Sequence, residues 1–315
     1  YALTSLASAI LVFETDGDIV ALAEKIESEP GVMMAQPNHV FHTLSEPKDA
    51  LQSLSRQLRF SKIHDFSRGR GVTVAIIDTG VDVDHEDLQA NIRGAENFIS
   101  GESYHAEIHG TAVAGIIAAG INQNGIAGVA PEANILALRA CKQVSEADPQ
   151  GRGNSVSIAR AIDAAVSHKV GIVNMSFGSG TSDRLIARLI EVGVRRGILF
   201  VAPVGNREGL SVPTFPASLE RVIAVGGVRG NGEAFPSPAL AAAATVCAPC
   251  EHLFTTIPGN RYNFLDGTSI STAVVSGVLA LVLEKRRVLR KEDLPSTSND
   301  IRLWTETLLG ISLSE

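Results

Sequence analysis

The sequence predicts an α/β fold: a doubly wound, mostly parallel sheet with helices on both faces, preceded by a small α+β segment at the N-terminus. Two patterns carry this. Residues 72–77, 135–138, 171–175, 198–201 and 222–225 are nearly continuous apolar runs, as expected of parallel strands covered on both faces. Helical patterns alternate with them over 110–119, 155–167 and 182–195, and a last long one covers 269–288. Strand and helix in alternation imply right-handed crossovers around one sheet. Composition supplies a third observation: of 315 residues, 45% are apolar and 19% charged, enough for one large domain and a smaller module.

The elements follow in order. A strand is expected over 9–13, then a helix over 18–27 with Ile19, Leu22, Ala23 and Ile26 on one face. Pro30-Gly31 stops it, and short strands follow at 32–35 and 40–41. The polar stretch 45–49 reads as a linker, so residues 1–44 form one unit and 45–315 the other. Leu303, Trp304, Leu308 and Leu309 predict a closing helix near the end. Lysine and arginine number 27 against 34 acids, a net charge of −7 that argues against a nucleic-acid partner. No membrane span is expected: the run 273–283 is interrupted by Ser276-Gly277 and closed by charges. Cys247 and Cys250 form a lone C-x-x-C, read as two small buried hydrophobes rather than a metal or redox site. The apolar run 3–13 resembles a signal-peptide tail, but no basic residue precedes it, which favours a strand.

In open α/β sheets, sites form at the carboxyl ends of strands. Asp78, Ser176 and Asn206 stand there, while His109 and Ser269 open helices. Singly, each has a bland reading as a turn or cap. An aspartic protease would need a second Asp-Thr-Gly loop, in the same chain or a dimer mate. A zinc hydrolase could draw on His105 and His109, four residues apart, but no third ligand has a clear motif.

Together, Asp78-Thr79-Gly80, His109-Gly110-Thr111-Ala112-Val113-Ala114-Gly115, Gly205-Asn206 and Gly267-Thr268-Ser269 resemble the subtilisin-like serine proteases, the subtilases, over roughly residues 45–290. The chain order Asp, His, Ser and the asparagine donor are those for which subtilisin itself is the reference example. The resemblance implies that Ser269 attacks the scissile carbonyl, His109 takes its proton and Asp78 holds His109. It implies that Asn206 and the Ser269 N–H bind the oxyanion. Gly151-Arg152-Gly153 and Ser176-Phe177-Gly178 would clamp an extended peptide or protein substrate from two sides. Thr214 would floor the primary specificity pocket, with Arg207 at its rim, and Phe215-Pro216 would carry a cis bond.

Further implications concern the rest of the chain. Residues 32–40 resemble the end of an inhibitor-type propeptide, so the N-terminal segment would be the chain's own intramolecular inhibitor, truncated to one helix and cleaved within 42–49. A structural calcium would be held by the Asp87 carboxylate, the Asn122 side chain and the carbonyls of Gly120, Asn124 and Ile126, with Asp49 or Gln52 completing the set. No organic cofactor is implied. The implied location is secreted or periplasmic, with the cytoplasm left open. Two departures from the family pattern stand out: Ala273 replaces the usual proline after the nucleophile, and Ala248-Pro249-Cys250 replaces Ala-Pro-Gly.

Overall fold

The computed structural model describes residues 1–15, 17–43, 60–122, 125–145, 148–207, 209–295 and 300–312. The N-terminal segment holds β1 (Ala2–Leu3), β2 (Ser8–Ala9), α1 (Ile19–Glu27) and β3 (Val40–Thr43). Next come α2 (Phe60–Phe66), β4 (Thr73–Asp78), β5 (Ile92–Asn97), α3 (Ile108–Ala118), β6 (Asn134–Arg139), β7 (Cys141–Ser145), β8 (Asp148–Asn154) and α4 (Ser155–Ser167). The chain continues through β9 (Ile172–Asn174), β10 (Phe177–Gly178), α5 (Arg184–Arg195), β11 (Leu199–Pro203), β12 (Ile223–Val228), β13 (Ala234–Phe235), α6 (Pro238–Ala243) and β14 (Val246–Pro249). It closes with β15 (Leu253–Ile257), β16 (Arg261–Leu265), α7 (Thr268–Lys285) and α8 (Ile301–Leu309).

The main sheet runs β13-β12-β11-β9-β4-β6-β5, with β14 also paired to β12; only β13 is antiparallel. Alternation along β4 shows why its sequence is a solid apolar run. Val74 and Ile76 enter one core with α3 and α7, while Ala75 and Ile77 enter the other with α4 and α5. The fold is therefore the doubly wound α/β sandwich expected from the sequence. Every residue of α7 from Thr268 to Val282 is buried, which explains an apolar helix with no polar face. By length and composition α7 is also the one helix among the described residues that could cross a membrane, and here it is the central core helix.

The N-terminal segment departs from its expected layout. Residues 10–15 and 32–39 form no strand; a two-stranded pair, β1 with β2, brackets a 3-10 turn instead. The reason is tertiary. Leu3 is buried among α4 and α5 residues, and the N–H groups of Thr4 and Ser5 reach the two oxygens of Asp163 on α4, at 2.8 and 2.7 Å. α1 starts one residue later than read, at Ile19, and the Asp18 side chain caps it by accepting the N–H groups of Val20 and Ala21. The hairpin β15–β16 was not legible as a pair, because Pro258-Gly259-Asn260 sits in a stretch without alternation. Both Phe215-Pro216 and Phe235-Pro236 are cis.

Candidate active site

Asp78 is the last residue of β4, and its Oδ1 lies 2.7 Å from His109 Nδ1 and accepts the Thr79 N–H at 2.6 Å. A carboxylate there fixes the imidazole proton on Nδ1 and leaves Nε2 as the basic atom. Nε2 is buried with no hydrogen-bond partner among the described residues. α3 begins one residue earlier than read, at Ile108, so His109 is its second residue and Glu107 its N-cap. Small residues let this helix start lie directly on the Asp78 loop. A Cβ on Gly110 would come 2.2 Å from the Thr79 carbonyl, and the Gly110 N–H instead bonds Thr79 Oγ1 at 2.8 Å.

Ser269 sits in the first turn of α7, where backbone N–H groups have no intrahelical acceptor. Gly267, at φ 115°, makes the turn into the helix. Ser269 Oγ donates to the Ser176 carbonyl at 3.3 Å, and Ser176 Oγ donates to the Ser269 carbonyl at 3.1 Å. Ser176 Oγ in turn accepts from Asn174 Nδ2 at 2.8 Å, and Asn174 Oδ1 accepts from Ser276 of α7 at 2.8 Å. The nucleophile candidate is thus tied to the end of β9, the strand next to β4. Asn206 follows β11, and its Oδ1 accepts both the N–H and the hydroxyl of Thr268, at 3.0 and 2.7 Å. That commits the oxygen, so what Asn206 offers a ligand is its NH2 group.

β8 carries Gly151 and Gly153, and β10 carries Phe177 and Gly178, one residue beyond Ser176. Between them runs the chain's own β3, antiparallel to both, with Phe41 opposite Gly153, His42 opposite Gly178 and Thr43 opposite Phe177. Its direction leads toward Ser176. Thr214 lies under Gly205: its N–H bonds the Val204 carbonyl at 3.0 Å, and a Cβ on Gly205 would come 3.0 Å from Thr214 Cγ2. Arg207 is exposed.

The metal residues gather only in part. Asp87 is buried; its Oδ1 accepts from Asn122 Nδ2 at 2.6 Å, and its Oδ2 accepts the Ile126 N–H at 3.0 Å and the Tyr262 hydroxyl at 2.9 Å. A Cβ on Gly125 would come 2.1 Å from Asp87 Oδ2, so the loop closes on the carboxylate only because glycine stands there. Gly120 donates its N–H to the Asp87 carbonyl at 2.7 Å. Asn124, Asp49 and Gln52 lie outside the described residues. In this structure the Asp87 oxygens thus face three donors, the Asn122 amide, the Ile126 N–H and the Tyr262 hydroxyl.

Other candidates separate. His105 Nε2 lies 3.1 Å from Arg139 Nη2 and 3.4 Å from Glu107, while His109 pairs with Asp78, so the two histidines do not converge on a metal. The thiols are free and buried: burial, with the charges of Asp78 and Glu107, pushes Cys141 well above the usual range, and burial raises Cys247 to about 11. Cys250 leaves its turn intact, since its carbonyl accepts the Gly267 N–H at 2.7 Å. Ala273 sits in unbroken helix.

Comparison with known proteins agrees with the geometry. The profile of the subtilase family, peptidase S8, matches residues 69–305. The chain is a member of the subtilase family. It is 32% identical over 270 residues to subtilisin NAT of Bacillus subtilis subsp. natto, covering 83% of this chain and 68% of that protein. It is 35% identical over 238 residues to an intracellular serine protease of Paenibacillus polymyxa, covering 72% and 71%. A thermostable alkaline protease of Halalkalibacterium halodurans is 38% identical over 250 residues, covering 77% of this chain and 64% of its own. As a subtilase, the chain is a serine-type endopeptidase, a hydrolase acting on peptides.

Sequence reasoning missed the groups behind the site. Glu107 and Arg139 looked like ordinary charges, yet both are buried and bonded to each other beside Asp78 and His109. The legible signal was Arg139 ending an otherwise apolar strand run.

Proposed function

We propose that this subtilase cleaves peptide bonds with Ser269 as nucleophile, His109 as general base and Asp78 as the group that orients His109. The observation that carries the assignment is the 2.7 Å pair between buried Asp78 and His109, which leaves Nε2 unpartnered among the described residues, on a helix, α3, that packs against α7, whose first turn holds Ser269. In the reading, Ser269 Oγ adds to the carbonyl carbon while its proton passes to His109 Nε2. The proton then goes to the departing amine, and the acyl-enzyme is released by water along the same route. The oxyanion is held by the Asn206 NH2 and the Ser269 N–H. Substrate would replace β3 as the inner strand, pairing with Gly151 and Gly153 on one side and with Ser176, Phe177 and Gly178 on the other. Thr214, packed beneath Gly205, would shorten the primary pocket toward small side chains, with Arg207 at the rim.

Residues 1–44 act in this reading as a propeptide-like inhibitor, and the chain processes itself within 42–49. The antiparallel seating of β3 in the cleft supports it. Calcium, where bound, is held by Asp87, Asn122 and the carbonyls of Gly120 and Ile126, with Asn124 as the sequence-based addition; it supplies loop stability and no chemistry. A rise in melting temperature on adding calcium, absent in Asp87→Asn, is expected, and an identical temperature with chelator removes the ion from the account. Export from the cytoplasm completes the proposal, to be checked by fractionating cells, since the Paenibacillus relative bears an intracellular name.

The decisive experiment is intact mass of wild type and Ser269→Ala, each treated with a fluorophosphonate. Wild type should lose its first 42–49 residues and gain one label. Ser269→Ala should do neither, with turnover down on the order of 10⁶-fold, the scale known for a subtilisin. Peptide cleavage at an undiminished rate by Ser269→Ala would end the assignment.

A further inference from the structure

We infer that Glu107 is a positioning residue: one buried carboxylate that locks the Asp78 loop, the His109 helix and the substrate-binding edge into a single register. The inference rests on the reading that Asp78, His109 and Ser269 carry the chemistry. Glu107 stands two residues before His109 and is 6% exposed, yet it does not cap its own helix with its side chain. Instead the carboxylate serves four donors. Oε2 accepts the Gly80 N–H at 2.7 Å and Arg139 Nε at 2.8 Å; Oε1 accepts the Gln143 N–H at 2.8 Å and Arg139 Nη2 at 3.1 Å.

The donors come from three different parts of the site. Gly80 lies two residues past Asp78, and its carbonyl accepts the Glu107 N–H at 2.8 Å, closing a two-way bridge between that loop and the start of α3. No side chain could stand at Gly80, because a Cβ would come 1.8 Å from the His105 carbonyl. Gln143 lies on β7, opposite Gly151 of β8, the strand that forms one wall of the cleft. Gln143 also returns a bond, its Oε1 accepting the Ile108 N–H at 3.0 Å. Arg139 ends β6 directly beside Asp78 in the parallel register, with its guanidinium wholly buried.

The arrangement is directional in a way a plain ion pair is not. Two of the four donors are backbone amides of the parts being joined, and the guanidinium fork fixes the carboxylate plane that receives them. Burial by itself disfavours the charged carboxyl, but Arg139 and the amides of Gly80 and Gln143 outweigh it and hold Glu107 below the ordinary carboxylate range. A neutral amide in its place would turn an NH2 toward at least one N–H, separating one wall of the site from the other.

The test compares Glu107→Gln with Glu102→Gln, which removes a partner of the same Arg139 without touching any backbone amide. Active sites are counted by fluorophosphonate burst, and turnover per counted site is measured on p-nitrophenyl acetate and on a tetrapeptide amide. Glu107→Gln should lower kcat per site about 10–100-fold on both, with a several-fold higher KM for the peptide alone. Glu102→Gln should stay within about threefold of wild type on both substrates, a minor effect by the same scale. Turnover per site unchanged in Glu107→Gln, or an equal loss in both variants, overturns the inference. If Glu107→Gln gives no countable sites, Arg139→Lys decides: it keeps the charge but loses the fork, and undiminished turnover per site would refute the role. A wild type that takes no label would instead sink the reading of Ser269.

Discussion

At the scale of single residues, the site depends on polar groups whose partners leave one atom over. Asp78 takes one nitrogen of His109, and Thr268 takes the oxygen of Asn206. Thr268→Val should therefore loosen Asn206 without removing it. Losing one orienting hydrogen bond of about 1 kcal/mol predicts a roughly fivefold fall in kcat with KM nearly constant. Steady-state kinetics on a peptide amide would check it, and an unchanged kcat would mean that Asn206 is held by other contacts. The reactive residues were legible because each stands beside glycine or threonine, Asp78 and Asn206 after apolar runs and His109 and Ser269 at the starts of apolar helices. Thr268 as an orienter was not, because its role depends on a partner 62 positions away.

At the scale of elements, helix α3 is placed by what it lacks. A Cβ on Gly115 would come 2.3 Å from Thr256 Oγ1 and 2.7 Å from Thr255 Oγ1, and those hydroxyls already bond α3 carbonyls at Thr111 and Ala112. Gly115→Ala should therefore cost about 1–3 kcal/mol, read as a lower denaturation midpoint, through overpacking. Helix α7 is secured at its far end by Glu284, whose Oε2 accepts from Ser67 Oγ and the N–H groups of Arg68, Gly69 and Arg70. Glu284→Gln should destabilise by about 2 kcal/mol, the scale of weakened hydrogen bonds to a charged acceptor, in urea unfolding. The helices and buried strands could be read from periodicity. The short strands β7, β8 and β10 could not, since their pairing is set by the cleft and by β3 and not by an apolar pattern of their own.

For the whole molecule, several buried groups push stability the same way with pH. Glu107 and Glu284 are lowered below their ordinary value of 4.5 despite burial, by Arg139 in one case and by backbone amides in the other. Burial lowers His64 from 6.5. In each case the unfolded chain binds protons more readily than the folded one. Stability is thus complete above the unfolded values and declines as pH falls, first below about 6.5 through His64 and then below about 4.5 through the carboxylates. Melting temperature should fall steadily from pH 7 to pH 3, and Glu284→Gln should flatten the lower part of that curve. A temperature independent of pH there would contradict it.

The strand β3 also has a meaning for solubility. A strand edge with unpaired N–H and C=O groups is a template for any extended chain, and proteins usually blunt such edges. Here the two edges facing across the cleft, on β8 and β10, are both closed by residues 40–43. With residues 40–43 in place, the molecule shows neighbouring chains no open groove in which their own unfolded segments could lodge. Removing that strand would uncover both edges together, so the self-processing proposed above would make the groove available and sticky in one step.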